Sequence, residues 1–229
     1  MFDGRFRAPV ERAVKPIGDG LRRTGLTPDH LTILGLVLAV AASVAIGAGA
    51  LRAGVVLGVL AALPDLFDGA LAKASNNASQ RGAFFDSVAD RVTDMLLFGG
   101  VAWYLASTEG AHWAILPLAV MGLSSLISYE RAKAESLGLQ AKGGLMERAE
   151  RLILLGFGLL FDSLLIPILW VMLGLTAFTA VQRFVKVWRQ AVAAPVVLER
   201  QAARRSRRVA RRTARAHRRT EFRRRRPRP

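Results

Sequence analysis

The sequence predicts an all-α membrane protein with six transmembrane helices, preceded by an amphipathic helix on the membrane surface. Three observations predict it. Of 229 residues, 52% are hydrophobic and the mean hydropathy is +0.29, too apolar for an ordinary soluble domain. Apolar stretches of about 20 residues, the length that crosses a bilayer, recur along the body. Lys and Arg gather before the first stretch and after the last, as they do beside cytoplasmic membrane faces.

The elements follow in order. Within residues 1–24, Phe6, Val10, Val14, Ile17 and Leu21 alternate with Arg5, Arg7, Arg12, Lys15, Arg22 and Arg23 at helical spacing, which predicts a helix lying in the interface. The same charges leave no uninterrupted apolar core, so no cleavable signal peptide is expected. A membrane domain over residues 25–190 follows, with spans expected at 31–51, 53–74, 84–106, 113–134, 152–166 and 167–187. Only Asp162 and Pro167 mark a break between the last two. Basic flanks at both ends require an even number of spans, and six place both termini in the cytoplasm of a cell (inner) membrane protein.

Residues 191–229 form a low-complexity basic tail. From Arg200 onward it holds 15 Arg against one acid, Glu221, so most of the net charge of +16 resides there. Such a segment cannot bury a core, and its expected partner is the anionic headgroup layer, at roughly 1 kcal/mol per basic residue near the surface. Phe222 is its one aromatic side chain, which argues against sequence-specific nucleic-acid recognition.

Zero cysteines exclude disulfides, thiolate catalysis and Cys-based zinc sites, and His30, His112 and His217 are too scattered for a metal cluster. Any metal chemistry must use carboxylates. These occur where they are most costly, at the end of the second span and inside the third. Asp65 and Asp68 are three apart and Asp86 and Asp90 four apart, so each pair projects from one helix face. The polar residues between Lys73 and Arg81 let the two helices return beside each other. Four facing carboxylates repel unless cations neutralise them, and oxygen-only ligands suit Mg2+ or Mn2+. Two such ions are a known device for displacement at phosphorus. Gly69 and Gly82 allow a phosphate or nucleotide close to the backbone.

The stretch D-L-F-D-G-A-L-A-K, eight residues, then G-A-F-F-D-S-V-A-D resembles the signature of the CDP-alcohol phosphatidyltransferases, D-x2-D-G-x2-A-R-x8-G-x3-D-x3-D. It departs at Lys73, where the family has Arg, keeping the charge but losing the bidentate fork. The resemblance covers about Gly25 to Arg189 and implies a six-helix homodimer with its site open to the cytoplasm. It implies that Asp65, Asp68, Asp86 and Asp90 hold two metal ions and that Asp90 is also the general base. Gly69, Lys73 and Ser79 would hold the CDP moiety of CDP-diacylglycerol. The segment G-L-T-P-D-H-L-T supplies Thr27, Pro28, Asp29 and His30 to the same lipid site. Asp94 lies outside the signature and is expected to be structural.

The stretches S-Y-E-R-A-K-A-E and E-R-A-E-R-L resemble those of the actinobacterial phosphatidylinositol phosphate synthases, Y-x-K-A-R-A-E and E-R-x-E-R-L. By that resemblance Arg131, Lys133, Arg148 and Arg151 bind the phosphate of inositol 1-phosphate, with Lys and Arg exchanged at the first two positions. Glycerol-3-phosphate would want similar cations, so a phosphatidylglycerophosphate synthase is the alternative. Two readings of another class are a divalent-cation transporter, which would show two related halves with broken spans, and a non-enzymatic membrane tether. The transporter would also place carboxylates in the membrane, but the sequence shows no such repeat, and the tether leaves Asp65, Asp68, Asp86 and Asp90 unexplained.

Overall fold

The computed structural model describes residues 28–74, 80–141 and 143–192, with Pro28 and residues 64–74 described by their backbone path alone. The amphipathic helix expected over residues 1–24, Thr27, the polar connection with Ser79, and residues 193–229 of the expected tail lie outside the described residues. So do the side chains of Asp65, Asp68 and Lys73, and the surroundings of Gly69.

Among the described residues the regular structure is all helix, with no strand. Six α-helices run in order: α1, Pro28–Gly47; α2, Leu51–Ala74; α3, Gln80–Thr108; α4, Ile115–Ser136; α5, Arg148–Leu160; and α6, Asp162–Val192. A short 3-10 turn, Ala111–Ala114, precedes α4. Three helical stretches, Asp29–Gly47, Ala111–Ser136 and Asp162–Val192, are long and apolar enough to cross a membrane, and Leu51–Leu63 is a shorter apolar one. Large apolar side chains point outward along them, among them Val37, Val44, Trp170, Phe178 and Phe184, each about half exposed. Apolar faces turned away from the core on long apolar helices identify a membrane protein.

α1 starts where Pro28 occupies the first helical position, whose amide needs no partner, and Asp29 favours the positive helix end. It stops at a tight turn closed by Ala50 N–H donating to Ala45 O at 2.8 Å, with Gly49 at φ +86. The turn folds α2 back along α1. On the other side of α1, Ser43 Oγ donates to Leu96 O at 2.7 Å. A Cβ placed on Gly100 would sit 2.6 Å from Ser43 O, so α3 lies nearly backbone to backbone on α1.

α3 is the centre of the bundle. Its buried residues Ala89, Thr93, Asp94, Leu97, Phe98, Val101 and Leu105 recur every three or four positions along one stripe. Phe98 and Val101 are fully buried among Ile46, Val120, Leu169 and Met172.

The last two helices divide earlier than the sequence suggests. The break falls at Phe161, with φ −119 and ψ 86, rather than between Ile166 and Pro167. Asp162 decides it. It opens α6, where a carboxylate favours a helix start, and its Oδ1 accepts the Tyr104 hydroxyl at 2.9 Å, tying the turn to α3. Pro167 is carried inside α6.

Candidate active site

The packing of α1 brings the polar residues to one end of the bundle. Because α2 is folded back along α1, residues 65–68 return to the level of the first two turns of α1. α3 runs parallel to α1, with Gly100 level with Ser43, which puts Asp86 and Asp90 at that same level. An ion pair between Asp29 and Arg81, at 3.6 Å and exposed, joins the starts of α1 and α3 directly. His30 lies beside Asp29 at the exposed rim. The starts of α5 and the ends of α4 and α6 complete this end of the protein.

Asp86 and Asp90 are half-buried on α3. The Asp90 carboxylate accepts from Arg148 Nη1 at 2.7 Å and lies 3.3 Å from Arg91 Nη1. Four residues on, Asp94 is 7% exposed and holds two arginines: Arg148 Nε at 3.2 Å on one oxygen and Arg151 Nη2 at 3.2 Å on the other. Arg151 also donates to Met146 O at 3.3 Å. The result is a chain of alternating charge, Asp90 to Arg148 to Asp94 to Arg151, crossing from α3 to α5. A buried cation is retained only where such anions offset its desolvation.

The four cations named from the sequence differ in setting. Arg148 and Arg151 are held in this network, whereas Arg131 and Lys133 are exposed at the end of α4, Arg131 paired with Glu135 at 3.0 Å. Spacing did not reveal Arg183, which is 6% exposed on α6. Its Nη1 donates to Ile127 O and its Nη2 to Gly143 O, both at 3.1 Å, so it stitches α4 and the α4–α5 loop onto α6. Glu130, Glu147, Arg131 and Arg151 all act on it electrostatically. A cation inside an otherwise apolar run is the signal that could have found it.

The donor chemistry fits a hard divalent cation, since the groups at this level of α2 and α3 that can ligate a metal are carboxylates, without thiolate or imidazole. Among the described residues no three acidic or histidine side chains converge, the side chains of Asp65 and Asp68 lying outside them.

The model of the CDP-alcohol phosphatidyltransferase family matches residues 25–188, the six helices almost entire. The chain belongs to that family. It is a membrane enzyme, and the transporter and tether readings are set aside. It is 35% identical to the phosphatidylinositol phosphate synthase of Mycobacterium tuberculosis over 210 residues, 86% of this chain and 93% of the relative. It is 34% identical to the archaetidylinositol phosphate synthase of Methanothermobacter thermautotrophicus over 194 residues, 81% and 94% of the two chains. The enzyme's fold is similar to the crystal structure of the M. tuberculosis synthase with CDP-DAG bound, with a TM-score of 0.72 at 35% identity, covering 77% of this chain and 94% of that one. A second structure of that synthase, in complex with manganese and citrate, gives a TM-score of 0.72 at 34% identity over 76% and 88%.

Proposed function

We propose that the enzyme transfers the phosphatidyl group of CDP-diacylglycerol to inositol 1-phosphate, releasing CMP and forming phosphatidylinositol phosphate. The observation that carries this is the Asp90 to Arg148 contact at 2.7 Å, continued through Asp94 to Arg151. It couples a carboxylate suited to take a proton from an acceptor hydroxyl to cations suited to hold the acceptor's phosphate. The inositol-phosphate relatives support the choice of polyol.

In this reading Asp90 takes the proton of the acceptor hydroxyl, which forms a bond to the lipid-side phosphorus as the bond to the CMP oxygen breaks. CMP leaves with that electron pair, and no covalent enzyme intermediate is needed. Asp65, Asp68, Asp86 and Asp90 would hold Mg2+ or Mn2+, which when bound supplies neutralisation for the attacking and leaving oxygens. Arg148, fixed by Asp94, keeps the Asp90 carboxylate oriented. Arg131, Lys133, Arg148 and Arg151, with Arg183 behind them, bind the acceptor phosphate. Thr27, Pro28, Asp29, His30, Gly69, Lys73 and Ser79 hold the CDP-lipid.

The reading includes the domain limits 1–24, 25–190 and 191–229, six spans in the cell membrane with cytoplasmic termini, a homodimer, and a tail on anionic lipid. Basic residues flanking the helices support the orientation, and the family resemblance supports the dimer. The test follows CMP release by purified protein, with Mg2+ or Mn2+, offering inositol 1-phosphate and glycerol-3-phosphate separately. Release with inositol 1-phosphate, stopped by a chelator and restored by metal, is expected. Release with glycerol-3-phosphate alone would replace the acceptor.

A further inference from the structure

Among the described residues three buried side-chain atoms have no hydrogen-bond partner: Oε2 of Glu150 on α5 and, as an acceptor and a donor on α4 and α6, Oε2 of Glu130 and Nε of Arg183. The pair on α4 and α6 differs from Glu150 in offering both halves of a hydrogen bond. They belong to one neighbourhood. Arg183 Nη1 is bonded to Ile127 O, one turn before Glu130, and helical side chains lean toward the preceding turn. The charge of Glu130 acts on Arg183, yet among the described residues no ion pair closes between them. Both outer nitrogens of the guanidinium are committed to backbone carbonyls, so the plane of Arg183 is fixed and its Nε–H is left over.

Leaving two such groups buried and unmet is costly unless a partner reaches them. One atom only accepts and the other only donates. A phosphate oxygen would suit Nε–H but be repelled by the carboxylate. A hydroxyl satisfies both, donating to Oε2 and accepting from Nε–H. We propose that Glu130, with Arg183 behind it, is a specificity-determining residue that receives a ring hydroxyl of the polyol acceptor. This rests on the acceptor reading above and deepens it, since a carboxylate among cations selects a polyol over a bare phosphate. Glu130 occupies the open position of Y-x-K-A-R-A-E, so the shared motif does not account for it.

The test compares the full-length enzyme with Glu130→Gln in CMP release, using inositol 1-phosphate and a series of its single-deoxy analogues. A hydrogen bond to a charged group sets the expected effect, a rise of about tenfold or more in KM for inositol 1-phosphate. The variant's kcat and its KM for CDP-diacylglycerol stay within about threefold, as expected of a residue that touches only the acceptor. One deoxy analogue should bind both proteins equally, a signature that a purely structural glutamate would not give. An unchanged KM in Glu130→Gln overturns the proposal and leaves the acceptor reading standing. If the wild-type protein releases CMP with no phosphorylated polyol, both fall together. Should the variant fail to fold, the deoxy series on wild-type protein decides, because equal KM values across it leave no hydroxyl reader.

Discussion

Asp94 on α3 and Arg151 on α5 are joined at 3.2 Å across 57 residues of sequence, both almost fully buried. Neither could remain charged there alone. With Arg148 on its other oxygen, Asp94 sets the distance between the helix that carries the proposed base and the helix that carries the proposed acceptor cations.

Asp94→Asn removes that anion and leaves Arg151 buried without its partner. Breaking one side of a buried pair costs on the order of 3 kcal/mol. The expected outcome is a clearly lower midpoint of thermal unfolding in detergent, with turnover reduced in the protein that stays folded. A midpoint equal to wild type would show that the network contributes nothing to holding α5.

Asp90→Asn keeps shape and loses the base. Turnover should fall by at least about 10^2-fold, the usual contribution of a positioned general base, while the unfolding midpoint moves little. Substantial CMP release from this variant would assign proton removal to another group.

Lys73→Arg restores the fork that the family signature carries. A second parallel hydrogen bond to a nucleotide phosphate should lower KM for CDP-diacylglycerol a few-fold, on the order of 1 kcal/mol, without raising kcat. Steady-state kinetics varying the lipid at saturating acceptor would read it, and an unchanged KM would place Lys73 away from the nucleotide.

Gly100→Ala puts a methyl group 2.6 Å from Ser43 O, where neither backbone can yield. Overpacking of this kind costs about 1–3 kcal/mol. Thermal unfolding should show the loss, and the activity of the remaining folded enzyme should be close to wild type, since Gly100 is remote from the aspartates.

Truncation after Val192 tests the tail. CMP release should persist, and binding to vesicles rich in anionic lipid should weaken most at low salt, where the Debye length is longest. Loss of turnover on truncation would give the tail a role in the reaction itself.

Much of this was legible in the sequence because it is local. Helix positions follow from runs of apolar residues, and the aspartates are read at spacings of three and four, which one helix face enforces. What escaped is what folding brings together from afar. Asp162 and Pro167 both mark the break in the sequence, but nothing near Phe161 announces that Asp162 will be tied to Tyr104, 58 residues away. The pairing of Asp94 with Arg148 and Arg151 spans 54 and 57 residues, and the unmet atoms of Glu130 and Arg183 exist only once α4 and α6 are in register.

Arg183, bonded at once to the carbonyls of Ile127 and Gly143, also sets a division of labour. In the proposed reading α1 to α3 carry the donor half of the chemistry, and α4 to α6 the half that chooses what is donated to. They meet through Asp94 on one side and two arginines on the other. New acceptors can therefore be sought by exchanging the second half as a cassette, residues 127–151 together with Arg183, while the aspartate signature stays untouched.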